Sequence, residues 1–151
     1  MPIAVRLPVT NLVMADVVNR YKKVAVVGAS KNPEKDANTV PAYLIAHGFT
    51  VIPINPTADK VLGLKAYPSL TALPDDLAKE IEIVNVFRPS EELADIASQA
   101  AEMKRRTGRP FVFWAQLGIK NEAARDILTR AAVGYVMDAC IRTVHQTHGK
   151  E

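Results

Sequence analysis

Lys23-Val24-Ala25-Val26-Val27 is a short apolar run that ends at Gly28, and it reads as a buried strand. A polar loop follows over residues 29–36. A helix is then expected over about residues 38–47, with Val40, Tyr43, Leu44 and His47 on one face. On that boundary Pro41 falls in the first turn, where a missing N–H is tolerated. Gly48 is a natural helix stop, and His47 sits where a protonated imidazole would complement the end of the helix.

The same alternation continues to the C-terminus. Residues 49–54 form a second expected strand, with Pro53 as a warning inside it, since proline cannot donate to a ladder. Asn55-Pro56 turns the chain. Residues 57–73 are less regular, broken by Tyr67-Pro68 and Leu73-Pro74. Ile81-Glu82-Ile83-Val84-Asn85-Val86-Phe87 is the third expected strand. Pro89-Ser90-Glu91-Glu92 opens the next helix, with Ser90 read as its N-cap and two acids in its first turn. Phe111-Val112-Phe113-Trp114-Ala115 is the fourth strand. Asn121 caps a helix that runs to Ala132 and stops at Gly134, and Tyr135-Val136-Met137 is the fifth strand.

Five apolar strands alternating with helices imply an α/β architecture, a Rossmann-like doubly wound five-stranded parallel sheet with helices on both faces. Such sheets bind ligands beyond the carboxyl ends of their strands, at the switch point. That rule selects the residues just after each strand. They are Gly28-Ala29-Ser30-Lys31, Asn55-Pro56, Phe87-Arg88, Gln116-Leu117-Gly118 and Asp138-Ala139-Cys140.

Length and composition limit the alternatives. A chain of 151 residues is one ordinary domain, and 48% hydrophobic with 23% charged residues is globular composition. No apolar run approaches the roughly 20 residues of a membrane span. A single cysteine, Cys140, excludes a disulfide framework within the chain and a zinc site built on several cysteines. The net charge of +3 is a modest field suited to an anionic ligand. The densest basic cluster, Lys104-Arg105-Arg106, falls at an expected helix end, where it complements the dipole; nucleic-acid binding has only the pI of about 9.1 in its favour. Residues 1–20 lack a long apolar core and a small-residue cleavage site. They read as an arm or short helix, capped by Thr10 or Asn11, that packs or contacts a second copy. A cytoplasmic protein is expected.

The first strand end is the usual phosphate position. Gly28 allows a tight turn, and the N–H groups of Ala29, Ser30 and Lys31 can face an anion beside the start of the next helix. Ser30 and Asn38 add side-chain donors, and Lys31 adds a full charge. The G-x-G-x-x-G fingerprint is absent, because no glycine follows Gly28 before Gly48. At the second strand end the acid that holds the ribose of NAD is missing, and the nearest acid is Asp59. Lys60 could meet a phosphorylated ribose, which NADP and coenzyme A share. Arg88 can reach a phosphate with its forked donors, or pair with Glu91 or Glu92. Phe87 suits an apolar cleft wall or the core, and Gln116 and Gly118 suit an extended ligand tail. Catalytic patterns are poor: there is no G-x-S-x-G and no H-E-x-x-H. His145 and His148 have metal-compatible spacing without carboxylates nearby, and as tail histidines they read as polar surface. Cys140 is the one candidate nucleophile, either open to thiol–disulfide exchange or buried and inert.

Taken in order, the segments Val24-Ala25-Val26-Val27-Gly28-Ala29-Ser30, Val51-Ile52-Pro53-Ile54-Asn55-Pro56, Leu62-Gly63 with Tyr67-Pro68-Ser69-Leu70, Val86-Phe87-Arg88, Gln116-Leu117-Gly118-Ile119, and Met137-Asp138 with Cys140 resemble the small stand-alone coenzyme A-binding proteins. That family is similar to the coenzyme A-binding domain of the succinyl-coenzyme A synthetase alpha subunit. The resemblance covers about residues 20–148, and the domain is set at 21–148. It implies that the pyrophosphate-facing loop falls on Gly28, Ala29, Ser30 and Lys31 with Asn38 and Thr39. The adenosine side falls on Asn55 and Pro56. The pantetheine side falls on Val86, Phe87 and Arg88, with Gln116 and Gly118 nearby. His145 matches the family's histidine near the end of the domain. Ala139 stands where the family commonly has arginine, and Val144 where it often has glutamate.

The synthetase relatives act through a phosphorylated histidine in a separate domain and an ATP-grasp partner, neither of which this chain contains. The resemblance therefore implies a binding module for coenzyme A or acyl-coenzyme A without catalytic activity of its own. Such a module would be a carrier, a sensor or a partner subunit, with a second copy or a separate protein as its partner. The alternatives are an NADP-dependent oxidoreductase or a subunit of an acyl-coenzyme A synthetase. Coenzyme A is the expected cofactor, with no metal, no nucleic acid and no membrane.

Overall fold

A computed structural model describes residues 14–150 of the chain. Helix α1 (Met14–Arg20) leads into strand β1 (Lys23–Val27), helix α2 (Asp36–Ala46) and strand β2 (Thr50–Ile54). A small hairpin of β3 (Lys60–Val61) and β4 (Leu64–Lys65) follows, then the short helix α3 (Asp75–Ala78) and β5 (Ile83–Val86). The second half alternates α4 (Leu93–Thr107), β6 (Val112–Ala115), α5 (Glu122–Arg130), β7 (Gly134–Val136) and α6 (Ile141–His148). The caps expected at Thr10 or Asn11 lie outside the described residues.

The sheet runs β2-β1-β5-β6-β7, and every pairing is parallel. The chain leaves β1 for β2 on one side and returns to pair β5 on the other, so the switch point lies between β1 and β5. The expected doubly wound Rossmann-like sheet is the observed fold.

Alternation along each strand sorts the core into two layers. Ala25, Val27, Val84, Val86, Phe113 and Ala115 face α4 and α5, which present Leu93, Ala97, Ala100, Ala124 and Leu128. Val24, Val26, Ile83, Val112 and Trp114 face the other way, toward Val17 and Val18 of α1, Val40 and Leu44 of α2, and Ile141 of α6. Both sides are covered, which is why these strands read as continuous apolar runs.

Pro53 is compatible with its strand because β2 is an edge. Thr50 N–H donates to Lys22 O and Gly28 N–H to Ile54 O. In that register the Pro53 nitrogen faces away from β1, where no ladder bond is lost. The outer side is closed by Tyr67, whose N–H donates to Pro53 O at 3.0 Å while its carbonyl accepts from Asn55 N–H at 2.8 Å.

Four local expectations need correction. Helix α2 begins at Asp36 rather than near residue 38, so Pro41 lies in its second turn. The carbonyl it cannot serve, that of Ala37, instead accepts from Ser30 N–H at 3.1 Å. Ser90 is not a helix cap: residues Ser90–Glu92 form a 3-10 turn, and α4 starts behind Glu92 without a side-chain cap. Ser90 instead accepts from Lys120 N–H at 3.1 Å and ties two strand-end loops together. Gly134 opens β7, and Ala132, at a φ of 59°, takes the left-handed position after α5. His145 is buried at 3% exposure, its Nδ1 2.7 Å from the Tyr43 hydroxyl.

Other expectations hold. Asn121 caps α5 by accepting from Ala124 N–H at 2.9 Å. Lys104, Arg105 and Arg106 occupy the last turn of α4. Lys104 Nζ reaches Ala132 O at 2.8 Å, so it also serves the end of α5. No helix among the described residues is long and apolar enough to cross a membrane.

Candidate functional site at the carboxyl edge of the sheet

The ladder extends past the strand ends and fixes three loops side by side. Phe87 N–H donates to Val27 O at 2.9 Å, and Gln116 N–H to Val86 O at 3.1 Å. These bonds hold the loops after β1, β5 and β6 in register with one another.

The loop after β1 is a built turn. Gly28 adopts a φ of 88°, which a side chain would resist. A Cβ placed there would lie 2.8 Å from Arg88 Cδ, so the Arg88 stem runs directly across the glycine at the switch point. Asn38, buried in the first turn of α2, donates from Nδ2 to Ser30 O at 2.8 Å. Asn55 donates from Nδ2 to Ala29 O at 2.9 Å, while its Oδ1 accepts from Thr57 and Ala58 N–H and makes the turn beside Pro56. Gly28, Ala29, Ser30, Asn38, Asn55 and Arg88 are thus brought together. The Ser30 N–H is engaged by Ala37 O, and Ser30 Oγ accepts from Asn32 N–H at 3.0 Å. Lys31 projects into solvent, and α2 starts behind Lys35 with no side-chain cap on its N–H groups.

Arg88 carries its own counter-ion. Nε and Nη2 donate to the two Glu92 oxygens at 3.0 and 2.8 Å. The hydrogen bond to Glu92 raises the Arg88 pKa, and the same bond lowers that of Glu92. Phe87 is half-buried against the α2-side core, and Val86 is wholly buried on the opposite face. Val86 therefore shapes the wall from beneath. Lys60 stands on the β3–β4 hairpin and is exposed.

A second cluster lies beyond β6 and β7. Gln116 is 5% exposed; its Oε1 accepts from Asn85 Nδ2 at 3.1 Å and from Ile141 N–H at 2.9 Å. Asn85 is fully buried in the central strand, and its Oδ1 has no hydrogen-bond partner among the described residues. Gly118, at a φ of 83°, donates its N–H to Asp138 Oδ1 at 2.6 Å, and Asp138 itself holds a φ of 65°. Trp114 Nε1 donates to Ala139 O at 2.8 Å. These bonds seat Cys140 at the start of α6. Burial pushes its thiol up, but hydrogen bonds from Thr143 N–H, the Gln116 side chain, the Thr143 hydroxyl and Arg142 N–H outweigh it. The net position is below the ordinary thiol range.

The strand-end rule does not select Asn85 or Arg142, whereas Glu92 is one of the two acids expected to pair with Arg88, and it does so. Asn85 was visible as the one polar residue within Ile83-Val84-Asn85-Val86. Arg142 carries no comparable signal, because it lies beyond the last strand end in a polar segment that folds as α6.

The fold and these strand-end loops define a Rossmann-like domain with its candidate site at the switch point. The chain belongs to the family of CoA binding domains, whose model matches residues 22–146. It is 39% identical over 130 residues to the uncharacterized protein YneT of Bacillus subtilis (strain 168), covering 86% of this chain and 90% of that protein. It is 34% identical over 83 residues to Acetate–CoA ligase [ADP-forming] II of Archaeoglobus fulgidus; this is 54% of the chain and only 12% of that much longer ligase. A hypothetical protein from Pyrococcus horikoshii OT3 has a similar structure, with a TM-score of 0.80, 35% identity, and coverage of 93% of this chain and 95% of that one.

Proposed function

We propose that this protein binds coenzyme A or its thioesters as a module without independent catalysis, acting as a carrier, a sensor or a partner of a separate subunit. The observation that carries this reading is the family match over residues 22–146, in register with a loop site at the β1/β5 switch point. In this reading the diphosphate rests on Gly28, Ala29, Ser30 and Lys31 at the uncapped start of α2 beside Asn38 and Thr39. The adenosine lies by Asn55 and Pro56. The pantetheine arm follows Val86, Phe87 and Arg88 toward Gln116 and Gly118, with its thiol directed to the β5–β7 side.

Among the described residues no group of three or more His, Cys, Asp or Glu could hold a metal. The alignment to the ligase spans a small part of that protein, so its ligase activity is not carried over.

Lys31→Glu tests the placement of the phosphates. The exchange puts a negative charge beside the loop and is expected to weaken coenzyme A binding about tenfold or more, with the melting temperature unchanged because Lys31 is exposed. Unchanged affinity in that variant would refute the loop as the phosphate site.

A further inference from the structure

Arg142 is the second residue of α6, and its side chain reaches across to another element. Its Nη1 lies 3.5 Å from Thr39 Oγ1 in α2 and donates to it. The guanidinium therefore stands between the first turn of α6 and the first turns of α2, on the side where the 28–31 loop is tied to Asn38.

Its electrostatic situation differs from that of the other arginines that do structural work. Arg88 pairs with Glu92, Arg105 with Glu102, Arg106 with Asp75 and Arg125 with Glu122. Arg142 is half-buried, yet it forms no ion pair among the described residues. Asp36, the acid in the first turn of α2, is exposed and does not pair with it. The first turn of α6 contains no acid either. A cation at a helix start is opposed by the dipole, and partial burial raises the cost of leaving it uncompensated. A charge placed against its local field, without a counter-ion among the described residues, calls for an external anion. The planar fork has donors left over after the single weak bond to Thr39, and such a fork matches paired phosphate oxygens.

We propose that Arg142 is a diphosphate-binding residue, closing the site of the 28–31 loop from the α6 side. This rests on the coenzyme A reading and adds to it a specific contact with the diphosphate rather than with the ribose phosphate.

The test is calorimetric titration of the full chain and two variants, Arg142→Met and Arg142→Lys, with coenzyme A, dephospho-coenzyme A and pantetheine. Arg142→Met is expected to weaken coenzyme A and dephospho-coenzyme A equally, by about tenfold or more, and to flatten the salt dependence of both. Pantetheine binding is expected to stay the same, and Arg142→Lys to recover part of the loss. Unchanged coenzyme A affinity in Arg142→Met overturns the proposal. So does a loss that includes pantetheine, which marks a structural role, or one that vanishes with dephospho-coenzyme A, which marks a ribose-phosphate contact. If the wild type binds no coenzyme A, the underlying reading fails first. Inorganic pyrophosphate then decides Arg142 alone: binding by the wild type that is lost in Arg142→Met supports it, and any other result overturns it.

Discussion

At the scale of single residues, the carboxyl edge of the sheet is organised by polar side chains that hold backbone. Gln116 is the clearest case. It takes an N–H from Asn85 in the neighbouring strand and another from Ile141 at the start of α6, and it also hydrogen-bonds the Cys140 thiol. A depressed thiol pKa means that the thiolate forms earlier on a rising pH scale. The rate of alkylation by iodoacetamide is therefore expected to reach half its maximum below the ordinary thiol value of about 8.5. Gln116→Ala removes one donor and is expected to move that midpoint upward. The linkage has a matching sign: a group depressed on folding contributes stability above its unfolded pKa, and that contribution is lost as the pH falls through the folded value. A midpoint at or above the ordinary value in the wild type would contradict the arrangement.

At the scale of elements, the strands and most helices could be read directly from the sequence, because each strand is buried on both faces and so appears as an unbroken apolar run. What could not be read were features that depend on partners distant in the chain. Ser90 had every local mark of a cap, yet its hydroxyl serves Lys120 N–H, thirty residues away. His145 looked like a surface residue in a polar tail, and only the packing of α6 on α2 buries it against Tyr43. Pro41 reads locally as a first-turn proline, yet α2 starts at Asp36, and Ser30 N–H satisfies the Ala37 O that the proline leaves unserved. That substitution of one donor for another links a helix defect to the conformation of the 28–31 loop. Pro41→Ala returns a competing donor to Ala37 O. Hydrogen exchange followed by NMR is expected to show the Ser30 amide losing about 1 kcal/mol of protection, while unchanged Ser30 protection would show that the proline does not shape the loop.

At the scale of the whole molecule, the switch between β1 and β5 places the polar loops of both halves at one edge. The site residues chosen by the strand-end rule fall there for that reason: Gly28 beneath the Arg88 stem, Ala29 and Ser30 held by Asn55 and Asn38, and Gln116 beside Gly118. For Arg88 the rule leaves phosphate and a neighbouring acid as partners, and Glu92 is the acid that holds it; Arg142 arrives from a helix outside the expected set. The central claim is that this edge receives coenzyme A. The most direct measurement is calorimetric titration of the purified protein with coenzyme A, with NADP as comparator, after native mass spectrometry has shown that no coenzyme A copurifies. A saturable signal for coenzyme A and none for NADP is the predicted result. Saturable binding of NADP with no response to coenzyme A would contradict it.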